Sequence, residues 1–433
     1  MAALLRLLAR ATGAHGVIDI GAGSGYLGLA LAQPDAVQSE SSGDKELISG
    51  ASVASPCDGD SLAVVGVEGS PLIHEGAGQR QQRPHLAPYN HRMATMHGRL
   101  EPGDSEGSRT VCNAALTELA RLVQPPHQGS HQTPGTTTTT LPSAGPGLPA
   151  ATAAGAATAV VTGVHACGNL TPSILRAFAS DSRLHALACV GCCYQGLYLS
   201  EDVVKGGCCS SDAALGFPLS HGVRQTLAGL GPGANPIDRN ALWRAASHQP
   251  RLDETAAAEA GRVRATLLRA ALELALMRVP QLRVEGIKGR VPPGLMARLS
   301  SHGEIAGAAE AVDTYVDHVL RLATVHDVEA GTEAPAAECS RLRHAIRQAL
   351  EESLQREPQL RALLRLQALM EALVEDVLAL DRCLFLRQTL DDDAVVRLVP
   401  LFDEAQSPRC YAIVAARRPL VLPLPAFEGV IEV

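Results

Sequence analysis

Aromatic rings are scarce: five Phe, six Tyr and one Trp make up 3% of the 433 residues. A platform of stacked rings for single-stranded nucleic acid is therefore not expected, and the core has to be built mainly from Ala, Leu and Val. Lysine is scarcer still, with Lys45, Lys205 and Lys288 the only three among 37 basic residues. That bias most simply reflects coding composition and carries no functional reading. No uninterrupted apolar run reaches the ~18 residues of a membrane span. The formal charge of -8 gives no dominant basic face, so bulk attraction to nucleic acid is not supported. Apolar residues at 46% and charged residues at 19% exclude a wholly disordered, collagen-like or coiled-coil chain.

The eleven cysteines are odd in number and clustered, and no secretory leader pattern precedes them. A reducing intracellular compartment is expected, cytoplasm or nucleus. The opening MAALLRLLARATGAHG is Arg-bearing and acid-free, which leaves a mitochondrial destination open, but it runs at once into an apparent core strand. It is read as a short helix flanking a sheet.

Two stretches read as low-complexity insertions. Residues 38–60 are rich in Ser, Gly and Asp, and residues 124–157 hold the Thr136 to Thr140 run and an Ala/Gly/Pro tract. Neither has the apolar periodicity to offset the entropy of ordering it. Around them, GVIDIGAG, LAVVGVEGS, AVVTGVHACG and LACVGCCYQG are short apolar runs ending at Gly or a small polar residue, the pattern of buried parallel strands. A weaker strand is expected at SRTVC, residues 108–112. Helical patterns separate the strands, in GYLGLALAQ, LIHEGAGQRQQR and TPSILRAFAS. Alternation of this kind predicts βαβ units and a doubly wound, mostly parallel α/β sheet over residues 1–252. Long Ala/Leu/Arg/Glu helices then predict a helical insertion subdomain over 253–390, and VVRLVPLF with CYAIVAARR a C-terminal hairpin, within 391–433, that closes the same sheet.

DIGAGSGYLG carries two overlapping patterns. Gly23, Gly25 and Gly28 satisfy the dinucleotide fingerprint, while Asp19, Gly21, Gly23 and Gly25 satisfy the DxGxGxG of S-adenosylmethionine-dependent methyltransferases. Glycine suits both, because the backbone must turn tightly from strand to helix and let a ligand approach. Asp19 favours the second: a strand-end carboxylate repels a pyrophosphate, whereas S-adenosylmethionine offers a cationic ammonium. Glu68 ends the second strand 43 residues after Gly25, or 20 once the 23 insertion residues are removed, the spacing at which an acid meets ribose hydroxyls.

GVHACGNL places His165, Cys167 and Asn169 at the carboxyl edge of a strand. His165 reads as a general base or a substrate-holding group, or as a capping or pocket-lining residue without chemistry. GCCYQG ends the next strand with Cys192, Cys193 and Tyr194. Tyr194 either stacks on a planar acceptor or the cofactor, or is a core tyrosine. The candidate catalytic set is His165, Cys193 and Tyr194. Cys189, Cys192, Cys193, Cys208 and Cys209 invite a zinc reading, since CxxC spacing recurs in structural sites, and Cys167 with Cys192 or Cys193 invites a covalent pyrimidine C5 mechanism. Cys189 falls inside a strand, and no Lys or Arg lies close in sequence to acidify a thiol. The cysteines are therefore expected to be reduced, metal-free and not nucleophilic, with no metal site.

With these motifs, and with GFPLS at Gly216 to Ser220, VEGIKG, LALDRCLFLRQ and LVPLFDEAQSPRCYAIVAARR, the chain resembles the methyltransferase-like protein 25 family over residues 17–418. The resemblance implies a Rossmann-like class I methyltransferase fold with S-adenosylmethionine as cofactor. It implies cofactor contacts from Asp19, Gly21, Gly23, Gly25 and Glu68, and puts His165 and the Gly191 to Tyr194 segment beside the reaction centre. It also implies a longer region before the glycine loop, and a family Asp where this chain has Asn169. The expected function is methyl transfer to an acceptor, RNA or protein, with no membrane partner. An NAD-linked oxidoreductase and a noncatalytic binding protein on the same fold are the alternatives.

Overall fold

The computed structural model describes residues 1–33, 62–81, 89–124, 157–199, 215–231, 237–239, 241–242, 255–285, 314–318, 320–321, 324–403, 407, 409–418 and 431–432. The insertion at 38–60 and nearly all of that at 124–157 lie outside these residues, as do Lys45, Lys205, Lys288, Cys208 and Cys209. The chain divides into two compact units, Met1–Ala246 with Leu373–Val433, and Ser247–Ala372.

In the first unit the apolar runs become the strands β1 (Gly16–Ile20), β2 (Ala63–Glu68), β3 (Met93–His97), β4 (Ala159–Ala166) and β5 (Leu184–Gly191). β9 (Val395–Pro400), β10 (Tyr411–Ala416) and the short β11 (Ile431–Glu432) complete an eight-stranded sheet in the order β11-β9-β10-β5-β4-β1-β2-β3. β1 to β5 pair in parallel, whereas β10 enters antiparallel between β5 and β9. Sequence alternation set this fold class: every residue of β1 is buried, as a central strand covered on both faces requires. One face packs against α4 (Ser105–Val123) and α5 (Leu170–Ser180), through Leu116, Leu119, Ile174 and Phe178. The other packs against α1 (Ala2–Thr12), whose Leu4, Leu5 and Leu8 join Val17, Val64 and Val160. The opening segment is thus the flanking helix expected. α2 (Tyr26–Ala32) and α3 (Pro71–Gln81) complete the βαβ units. Leu62 N–H donates to the Leu31 carbonyl at 3.0 Å, so the two ends flanking the 38–60 insertion meet.

Three expectations are corrected. SRTVC is not a strand but lies in α4, because Asp104 caps that helix, accepting from Gly107 N–H at 2.7 Å, after a Pro102–Gly103 turn. The third strand is instead Met93–His97. The block after residue 253 is not purely helical: its unit contains a three-stranded antiparallel sheet, β6 (Leu282–Glu285), β7 (Thr324–Asp327) and β8 (Thr332–Glu333), beside α7 (Ala256–Arg278) and α8 (Ala336–Leu354). Its limit is Ala372 rather than residue 390, because the later part of α9 (Glu357–Thr389) places Ala379, Cys383 and Leu386 in the core of the first unit. A further helix, α6 (His221–Gly229), is capped by Ser220, whose hydroxyl accepts from Val223 N–H.

Candidate functional site

The strand order reverses direction between β1 and β4, and ligands of doubly wound sheets bind at the carboxyl ends beside such a reversal. A cleft of about 640 Å³ lies there. Its walls come from the carboxyl end of each parallel strand in turn: Ile20 and Gly21 at the end of β1, Glu68 and Gly69 at the end of β2, Gly98, Arg99 and Leu100 after β3, Cys167 and Asn169 after β4, and Cys193 and Tyr198 after β5.

The glycine loop turns because Gly21, Gly23 and Gly25 all take positive φ, at 74°, 57° and 76°. A Cβ added at Gly25 would meet nothing within 4 Å, and at Gly23 only the Gly21 carbonyl at 3.9 Å, so the loop borders open space. Gly28, the third glycine of the dinucleotide pattern, instead packs α2 against Met93 and Val64. Glu68 faces the cleft with its carboxylate held on both sides. Oε2 accepts from Gly23 N–H and Oε1 from Ser70 N–H, each at 2.9 Å, which leaves each oxygen a further lone pair.

Asp19 is placed differently from the expectation. It is 3% exposed and is not among the cleft walls. The reason is its position within β1, in register with Gly66 and Thr162 on the neighbouring strands. Burial, and secondarily the Glu68 charge, push its carboxyl up to about 7.

The two signature turns are built against each other. Cys193 carbonyl accepts from both Gly168 N–H, at 3.0 Å, and Gly196 N–H, at 3.2 Å. Gly168 has φ 53°, and a Cβ there would stand 2.6 Å from the Gly196 carbonyl oxygen. His165 has φ 59°, a left-handed conformation that costs free energy in any residue but glycine. Its side chain is exposed and is not among the cleft walls. Asn169 is buried and its Oδ1 accepts from Tyr198 N–H at 2.7 Å, a positioning contact that an amide makes as well as a carboxylate.

Tyr194 is a core residue, contrary to a stacking role. It is 4% exposed, its hydroxyl donates to Glu375 Oε1 at 2.8 Å, and the guanidinium carbons of Arg382 and Arg409 lie 5.2 and 5.1 Å from its ring centroid. Burial pushes its phenol above the ordinary range. The ring at the cleft is Tyr198, four residues on and 44% exposed. Sequence reasoning missed it, and also missed the segment from Gly98 to Leu100, whose strand it had not found.

Cys167 and Cys193 line the cleft, and their sulfurs are 3.2 Å apart. Hydrogen bonding from Cys192 most strongly, opposed by burial and assisted by Cys193, brings the Cys167 thiol down to about 5. The His165 charge acts in the same direction. Cys189 is fully buried in β5, where burial pushes its thiol up to about 12.

Sheet order, glycine loop and cleft together define a Rossmann-like methyltransferase fold. Residues 54–199, from before β2 to the second signature turn, match a family model described as a methyltransferase domain. The chain is similar to the probable methyltransferase-like protein 25 of mouse, 27% identical over 263 residues, and to that of human, 26% identical over 260 residues. Each match covers 60% of this chain but 37% of the relative, so the chain spans well under half the length of the curated relatives it matches. No solved structure matches. The resemblance to the methyltransferase-like protein 25 family carried by the motifs therefore stands on independent comparisons. No helix among the described residues is long and apolar enough to cross a membrane.

Proposed function

We propose that the chain is an S-adenosylmethionine-dependent methyltransferase whose acceptor is RNA or protein. The observation that carries this reading is Glu68, a strand-end carboxylate that faces a large cleft and is hydrogen-bonded to the glycine loop following β1. Its remaining lone pairs suit the paired hydroxyls of a ribose, and Gly98 and Leu100 beside it offer small and apolar surface for a base. The open space over Gly23 and Gly25 fits the rest of such a ligand.

The same geometry argues against a dinucleotide. Gly23 N–H, a donor that a pyrophosphate would need at the turn, is already bonded to Glu68, and the carboxylate would repel the phosphates. When bound, S-adenosylmethionine supplies a methyl group on a sulfonium, and transfer requires chiefly that the acceptor atom be aligned with it. In this reading Glu68 orients the ribose. Tyr198 offers a ring face to a planar acceptor, and Asn169 fixes the backbone that carries it. His165, on the same strand end but exposed, serves an acceptor approaching from outside the cleft.

The test is incubation of purified protein with a cell extract and radiolabelled methyl donor, followed by separation into RNA, protein and small molecules. Label in the RNA or protein fraction that depends on Glu68 supports the proposal. Label only in small molecules removes the macromolecular acceptor, and no transfer to any fraction by a chain that binds no donor favours the noncatalytic alternative.

A further inference from the structure

Three thiols meet at the edge of the cleft. Among the described residues, the sulfurs of Cys167, Cys192 and Cys193 all lie within 4.8 Å of one another, with Cys193 at 3.2 Å from Cys167 and 3.6 Å from Cys192. A tetrahedral zinc with bonds of about 2.3 Å holds its sulfur ligands roughly 3.8 Å apart, in the middle of that range.

The backbone, not a chance choice of rotamers, brings them together. Cys167 follows β4 and Cys192 and Cys193 follow β5, and the two turns are locked by the paired hydrogen bonds onto the Cys193 carbonyl. Gly168 packed on Gly196 permits the approach, since a Cβ would block it. A left-handed His165 sets the direction of the first turn two residues before its cysteine. Backbone strain at one point and a glycine contact at another converge on the placement of three soft ligands, and no step of methyl transfer requires three thiols.

We propose that Cys167, Cys192 and Cys193 form a three-thiolate site for a soft divalent cation of the zinc class, with its fourth position open to the cleft. Three protein ligands with one open position is the arrangement of reactive rather than closed structural zinc sites. Because Cys167 and Cys193 are cleft walls, a water or a soft atom of the acceptor completes the shell. Coordination displaces to solvent whatever protons the three thiols carry, and no oxidation or reduction takes place. CxxC spacing pointed elsewhere: it paired Cys192 with Cys189, which is enclosed in its strand and outside the group.

The experiment is titration of the full, reduced, metal-stripped chain with cobalt(II) chloride. One equivalent should raise sulfur-to-cobalt charge-transfer absorption with the visible bands of tetrahedral cobalt, and zinc should bleach both. Cys167→Ser and Cys193→Ser should each abolish the signal at one equivalent, while Cys339→Ser, in the second unit, should leave it intact. If the serine variants do not fold, alkylation mapping of the wild-type chain gives the same answer, with zinc protecting Cys167, Cys192 and Cys193 from iodoacetamide. Absence of charge-transfer absorption at stoichiometric cobalt overturns the proposal. So does a signal that survives Cys167→Ser, protection confined to other cysteines, or a Cys167–Cys193 disulfide that forms in place of metal uptake. Cobalt binding without donor binding would leave this site standing while defeating the methyltransferase reading.

Discussion

Gly168 and Cys167 are adjacent in sequence and are tested in different ways. Alanine at Gly168 must adopt a φ of 53° and place its Cβ 2.6 Å from the Gly196 carbonyl, so Gly168→Ala should destabilise the protein by about 1 to 3 kcal/mol. Urea denaturation measures it, with Gly76→Ala as the control. Gly76 lies within α3 with nothing within 4 Å of its Cβ position, so that change should be neutral or stabilise by up to about 1 kcal/mol. Equal effects would show that the two signature turns do not need their close approach. At Cys167 the expected outcome concerns reactivity. With its thiol held near 5, metal-free protein should lose Cys167 to iodoacetamide at a rate that is already on its plateau at pH 7 and falls only as pH drops toward 5. A rate that keeps rising to pH 9, as for an ordinary thiol, would contradict the stabilisation by Cys192 and Cys193.

The sequence made some of these residues legible and hid others for physical reasons. Glu68 could be found because its distance from the glycine loop depends only on the length of one helix and one strand once the insertion is removed. The glycine loop could be found because positive φ leaves glycine as the usual choice. Which of two tyrosines faces the cleft could not be found. Tyr194 and Tyr198 share one short turn segment, and their fates are decided by Arg382, Arg409 and Glu375, which are remote in sequence. The burial of Asp19 could not be found for a similar reason, since strand-end position alone does not say whether a carboxyl is enclosed.

Among the elements, α9 explains why sequence blocks far apart keep company. Asp381 is buried and accepts from Leu219 N–H at 2.7 Å, Ser220 N–H at 2.9 Å and the Ser220 hydroxyl at 2.7 Å. The next residue, Arg382, lies over Tyr194. GFPLS, GCCYQG and LALDR are thus joined by one helical turn, through Ser220, Tyr194, Asp381 and Arg382. Removing a buried carboxylate leaves its donors unsatisfied, so Asp381→Ala should cost about 3 kcal/mol or more. A drop in thermal midpoint with donor binding retained, at a temperature where the variant is folded, is the expected result. Unchanged stability would mean that the three hydrogen bonds are replaceable. The strands missed by sequence reasoning are also explained at this scale. β3 reads MATMH, too short and too mixed for an alternation to show, while the β-branched pair Thr110 and Val111 imitates a strand inside a capped helix. The sheet of the second unit is made of strands of only two to four residues among long helices.

At the scale of the whole molecule, the fold class was readable because alternating strands and helices with glycine-ended strands leave few topologies, and connection rules reduce these further. What the sequence pattern could not supply is where the helical block stops, since α9 is one unbroken amphipathic run whose ends serve different units. The proposed function requires that the cleft at the reversal of strand order bind S-adenosylmethionine through Glu68. Isothermal titration calorimetry of the wild-type chain and Glu68→Ala with S-adenosylmethionine, and of the wild type with NAD, tests it most directly. Loss of a charge-assisted hydrogen bond is worth roughly 1.5 to 3 kcal/mol, so the methyl donor should bind saturably, weakened by about 10 to 100-fold in folded Glu68→Ala, and NAD should not bind. An unchanged dissociation constant in the variant, or binding of NAD in place of the methyl donor, would contradict it.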